Sequence, residues 1–150
     1  MDLIVSARIW LHSLEECGVI VQSIIAFTND HFEIISAIHH AALKGNPTAM
    51  KILLTKLNRP WIVEEKKDDG YTALHLAALN NHVDIADLLI NMGKANLDRQ
   101  NVNLQTALHL AVERQHVQIV KLLVRKGANL NIPDKDGDTP LHEGNNEKLN

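Results

Sequence analysis

The fold class this sequence predicts is an all-α solenoid of stacked helix-turn-helix units with extended fingers between them. Three observations predict it. Thr72-Ala73-Leu74-His75-Leu76-Ala77-Ala78 returns 34 residues later as Thr106-Ala107-Leu108-His109-Leu110-Ala111-Val112, and again in part, after 33 more, as Thr139-Pro140-Leu141-His142. A second block, Val83-Asp84-Ile85-Ala86-Asp87-Leu88-Leu89-Ile90, returns as Val117-Gln118-Ile119-Val120-Lys121-Leu122-Leu123-Val124. Aromatic residues make up only 3% of the chain against 45% apolar residues in all. The core must therefore be Leu, Ile, Val and Ala, which suits closely packed helices. Two short helices cannot bury their apolar faces alone, so units repeated at this period must stack on one another.

Taken in order, residues 1–30 hold no copy of the repeat and stand as an unassigned N-terminal segment. Ser36-Ala37-Ile38-His39-His40-Ala41-Ala42, 36 residues before the Thr72 copy, is a degraded version and marks a repeat over about 31–66. Full repeats follow at about 67–100 and 101–133, then a partial one at 134–143, while residues 144–150 leave the pattern. In the full units Thr72 and Thr106 sit where an N-cap belongs, with a hydroxyl able to accept from free helix amides. Leu74, Ala77 and Ala78 then keep helical spacing, and Asn80-Asn81-His82 ends the first helix. Ile85, Leu88 and Leu89 form the stripe of the second helix.

Both second-helix blocks end in glycine, Gly93 and Gly127, and Gly93 is expected to stop its helix in the left-handed conformation, which costs glycine nothing. The extra residue Lys94 accounts for the 34-residue spacing. Fingers follow, with turn chemistry at Asp69-Gly70 and Asp136-Gly137. Leu104 holds the place of those turn glycines, and the turn there is expected to relax out of a positive φ.

Composition narrows the function. A formal charge of −3 gives no basic stripe for nucleic acid. A single cysteine, Cys17, allows neither an internal disulfide nor a cysteine-based zinc cluster. The apolar stretch at residues 19–27 is too short to cross a bilayer, so no membrane insertion is expected. The acidic opening Met1-Asp2 is unlike a signal peptide, and a soluble cytoplasmic protein is the expectation. Gly-rich phosphate loops and a nucleophile elbow are missing from the sequence, and no cofactor is expected.

The threonine-to-alanine blocks at their fixed spacing resemble the ankyrin repeat, over about residues 34–142. A narrower resemblance rests on Pro60-Trp61-Ile62-Val63-Glu64-Glu65-Lys66-Lys67-Asp68-Asp69-Gly70-Tyr71, which is longer than an ordinary finger. With Leu104 to His116 and Asp134 to Glu143, it is similar to the middle ankyrin repeats of the mind bomb family, RING-type E3 ubiquitin ligases acting on Notch ligands. That resemblance implies a protein-interaction scaffold whose partner is another protein or other domains of a parent ligase. RING fingers need rows of Cys and His, so no ligase chemistry is expected in this chain. It reads as a fragment, a short isoform or a truncated gene product. A free-standing adaptor or competitive inhibitor is the alternative.

Several constellations have two readings. His75 with His82, and His109 with His116, stand seven apart, but recurrence at the repeat period favours architecture over two metal sites. By the resemblance, His39, His75, His109 and His142 hydrogen-bond locally and steady the fingers. Glu64-Glu65 and Asp68-Asp69 lie beside Lys66-Lys67 in a mixed-charge finger, where nothing pushes their pKa values apart for catalysis. Cys17 near His12 has no third group to orient a base. Trp61 reads as packing over a longer finger, or as an exposed anchor for a partner.

If the units stack as the resemblance implies, fingers and first helices line one concave face. Outward positions there are Asp68, Asp69, Tyr71, Leu79, Asn80 and Met92 in one copy. The next offers Val102, Asn103, Gln105, Glu113, Arg114 and Lys126, and the last adds Lys135, Asp136 and Asp138. With Trp61 these are the candidate protein-binding residues. Their mix of charge and apolar spots suits a protein segment better than phosphate or lipid.

Overall fold

The computed structural model describes residues 31–57, 59–67 and 69–142, with the side chains of residues 31–33 outside that description. Cys17, His12, the apolar stretch at 19–27, Asp68, Glu143 and the tail at 144–150 all lie outside the described residues. Among the described residues six α-helices and one 3-10 helix are complete, a further helix opens at Pro140, and there is no strand. They are α1 (His31–Lys44), α2 (Pro47–Leu57), the 3-10 helix (Pro60–Glu64), α3 (Ala73–Leu79), α4 (Val83–Asn91), α5 (Ala107–Glu113) and α6 (Val117–Arg125).

The helices pair and stack in two layers. The first helices α1, α3 and α5 pack side by side, and the second helices α2, α4 and α6 pack in the same order behind them. Ala77, Ala78 and Ala111 are fully buried between the layers, so backbones approach closely. Ile38, Leu74, Leu89, Leu108, Ile119 and Leu123 fill the space around them, and one apolar cluster runs from Ile34 to Ala128. Leu74 and Leu108 keep 2% and 1% of their surface, which makes the seam continuous between units. At roughly 2 kcal/mol per buried leucine or isoleucine, this seam is the main force holding neighbours together.

Each full unit begins as its sequence suggests. Thr72 accepts the His75 amide on its hydroxyl, and the His75 ring takes the Thr72 amide back at 3.1 Å, closing a capping box. Thr106 and His109 repeat it at 3.0 Å. The degraded repeat differs. Its α1 runs without a break through Ser36, and is 14 residues long against seven for α3.

Two backbone expectations need correction. Gly93 is not left-handed; Lys94 takes that conformation, at φ 53°, whereas Gly127 takes it in the next repeat at φ 95°. The inserted residue lets α4 close one position later, with the Ala95 amide reaching the Leu89 carbonyl at 3.0 Å. Gly93 is needed for space instead: a β-carbon there would meet the Leu89 oxygen at 2.7 Å and Val63 Cγ1 at 2.8 Å. Leu104 does not relax either. It keeps φ 59°, beside 75° and 88° at its counterparts Gly70 and Gly137. The turn is over-determined, because the Asn101 carboxamide oxygen accepts the Asn103 and Gln105 amides while the Asn101 carbonyl accepts the Leu104 amide. Those bonds hold a leucine where it costs roughly 1–2 kcal/mol.

Candidate protein-binding face

The fingers are built into a regular ladder. Val102 donates its amide to the Asp69 carbonyl, and one repeat on, Lys135 donates to the Asn103 carbonyl. Each finger turn closes on itself through Lys67, Asn101 or Asp134, whose amides reach Tyr71, Gln105 and Asp138. Asn101 and Asp134 add side-chain acceptors for two amides each, a service Lys67 cannot perform.

The histidines tie one unit to the next. His75 accepts on Nδ1 from Thr72, so its Nε2–H is left to donate to the Gln105 carbonyl at 3.0 Å. His109 does the same to Asp138 at 3.1 Å, and His39 Nε2 meets Tyr71 at 3.0 Å. All three carbonyls precede the next unit's cap, so the bond recurs with the repeat. Burial holds the His75 ring well below its ordinary value, at about 4, against a smaller opposing pull from the Gln105 carbonyl. Burial lowers His39 and His109 too. The second histidine of each unit also crosses a junction, His82 to the Leu43 carbonyl and His116 to Ala78. Spacing of seven therefore reflects two cross-links per unit. Among the described residues no three His, Cys, Asp or Glu side chains converge as a metal requires.

A further ladder runs along the loops behind the fingers. Glu64 accepts the Asn96 amide at 2.6 Å, and Asp98 accepts the Asn129 amide at 2.9 Å one repeat on. Arg99 pairs with the second oxygen of Glu64 at 2.9 Å.

On this frame the proposed residues divide. Asp69 and Tyr71 line a depression of about 230 Å³, together with His39, His40, Leu43, Lys67 and Leu76. The Tyr71 ring also sets its edge against His75, at 5.9 Å between centroids. Leu79 and Asn80 end α3 on the same side, with Leu79 half-buried. Val102, Asn103 and Gln105 are on the middle finger, where Val102 keeps 64% of its surface. Gln105 reaches Glu113 at the end of α5, beside Arg114. Lys135, Asp136 and Asp138 are exposed on the last finger.

Three residues stand elsewhere. Met92 and Lys126 are the C-caps of the second helices α4 and α6, in the layer behind the fingers. Lys126 donates to Asn91 on α4. Trp61 rides on the 3-10 helix, 38% exposed, while Ile62 and Val63 beside it are buried. Leu43 and His40 were missed by sequence reasoning. Leu43 is the counterpart of Leu79 in the degraded copy, and applying the same outward positions there would have found it.

The description "Ankyrin repeats (3 copies)" matches residues 12–101 and 91–147. The chain belongs to the ankyrin-repeat family. It is 90% identical over 97 residues to the E3 ubiquitin-protein ligase mind-bomb of Drosophila melanogaster, a match covering 65% of this chain and 8% of that protein. It is 46% identical over 114 residues to inversin of Gallus gallus, covering 75% of this chain and 10% of that protein. The E3 ubiquitin-protein ligase XBAT32 of Arabidopsis thaliana is 29% identical over 82 residues, 39% of this chain and 16% of its own length. The chain thus spans about a tenth of the first two relatives. Ankyrin repeats are protein-binding modules, and the resemblance to mind-bomb is to its ankyrin region. No described helix is long and apolar enough to cross a membrane.

Proposed function

We propose that this chain is a protein-interaction scaffold of the mind bomb type, binding a partner along its fingers and first helices. One observation carries the reading. On that face the backbone is fixed by histidine cross-links and finger rungs, while Asp69, Asn80, Val102, Asn103 and Glu113 keep their side chains in solvent. A rigid frame with solvent-exposed side chains is the arrangement that lowers the entropic cost of association. The 90% identity to the fly ligase over 97 residues supports a role as the part of such a ligase that holds a partner. Notch ligands are the substrates that resemblance brings with it, and a cytoplasmic setting belongs to the same reading. Ubiquitin transfer itself falls to regions outside this repeat array.

The alternative is an adaptor with no ligase connection. It is favoured by the inversins, whose match covers more of the chain, 75% against 65%. One experiment separates the outcomes. The immobilised chain and its Tyr71→Ala, Arg114→Ala variant are compared for retention of a mind bomb-type ligase's substrate. Retention by the native chain with loss of about tenfold or more in the variant supports the scaffold reading. Equal retention by both removes the face, and no retention by either favours the adaptor. The chain alone is expected to transfer no ubiquitin.

A further inference from the structure

The two places where the sequence breaks its own period come together in space. The long stretch before the first full finger supplies the 3-10 helix, and the extra residue after α4 is Lys94. Between them lies a cleft of about 70 Å³. Leu53, Ile62 and Val63 form its buried floor, while Met92, Arg59 and Lys94 stand exposed at its mouth. Its volume accommodates one aliphatic side chain, being several times what a single water needs. The wall is preformed, because Gly93 packs on Val63 and Leu54 with no room for a β-carbon.

Its chemistry is particular to this repeat. Met92 is 42% exposed, and its counterpart one repeat on is Lys126, a polar residue bonded to Asn91. Trp61, next to Pro60 of the lining, leaves a second large apolar surface in solvent close by. A single exposed methionine would mean little. Here the exposed methionine lines a formed cleft whose described lining holds two cations and no carboxylate. The nearest acid along the chain from Val63, Glu64, is engaged by the Asn96 amide and Arg99. Lys56 already stands in the last turn of α2, where a cation offsets the helix's negative end. Arg59 and Lys94 add positive charge beyond that.

We infer that this cleft is a second protein-binding site, taking an acidic peptide segment that inserts one aliphatic side chain between Met92 and the 3-10 helix. The apolar floor supplies the anchor and the arginine–lysine rim selects for acid. It lies in the layer behind the fingers and does not depend on the face proposed above.

Fluorescence anisotropy of the full chain with three labelled peptides tests this. One alternates Leu with Glu, one Ser with Glu, and one Leu with Lys. Saturable binding is expected for the Leu/Glu peptide alone. It should weaken by about tenfold or more in an Arg59→Glu, Lys94→Glu variant and in Met92→Ser, and stay unchanged in Tyr71→Ala. The thermal midpoint of each variant is measured alongside, and where charge reversal disturbs folding, Met92→Ser decides. Absence of saturable Leu/Glu binding, equal binding of either other peptide, or native-like binding by the deciding variant overturns the site. Capture by phosphatidylserine vesicles in place of the peptide also overturns it.

Discussion

The junction between the second and third helix pairs is made of parts that recur. His75 is capped by Thr72 and donates to Gln105, and each ring nitrogen has a partner suited to a neutral imidazole. At the junction of the first and second pairs the threonine is missing. His39 faces carbonyls on both sides, Ile35 at 2.7 Å and Tyr71 at 3.0 Å, and a neutral ring can donate to only one. The weaker junction carries something the other lacks: the 3-10 helix inserts Ile62 and Val63 beneath it, and Glu64 accepts Asn96 and Arg99 across it. One junction is held by matched hydrogen bonds, and the other by added apolar packing. A solenoid can therefore lose a repeat's signature and keep the stack, provided new volume fills the seam.

Acid should break the matched junction most. The folded His75 takes up a proton near pH 4, while in the unfolded chain it does so near 6.5. Between those values the unfolded chain binds more protons, so stability is complete above about pH 6.5 and falls as the pH drops toward 4. His75 alone accounts for about 3 kcal/mol of that loss, with His39 and His109 lowered in the same direction. Urea unfolding at a series of pH values measures it.

Ile62→Ala attacks the other junction. Ile62 is 2% exposed, and its truncation should cost about 2–4 kcal/mol by the cavity it leaves. Hydrogen exchange should then rise in α1 and α2 before it rises in α5. Loss spread evenly over all helices would show that the added packing serves the whole stack alike.

Much of this was legible in the sequence, for a physical reason. Thr72, His75 and the leucines act through local backbone geometry or helical period, which spacing alone reveals. Gly93 was misread because its role is set by Val63 and Leu54, residues far away in sequence that fill its β-carbon space. Leu104 was misread because turn strain was judged from one residue, while Asn101 and Gln100 fix the turn around it. Met92 and Lys126 were placed with the fingers since nothing in a linear pattern says which layer a helix end joins. The depression at Tyr71 was half legible, because its His40 and Leu43 come from the copy with the weakest signature.

A smaller effect sharpens the same contrast. Leu104→Gly should stabilise the chain by about 0.5–1 kcal/mol, as relief of the left-handed strain outweighs the entropy glycine gains when unfolded. No gain in the urea midpoint would mean that the exposed leucine side chain, at 48%, repays its backbone within the chain.

The claim that threonine-capped histidines lock successive units together is tested most directly by the ring nitrogens of His75. Proton and nitrogen NMR across a pH titration should find a neutral ring protonated on Nε2, bonded across to Gln105, and holding that state down to about pH 4. Titration near 6.5, or a proton on Nδ1, would contradict it.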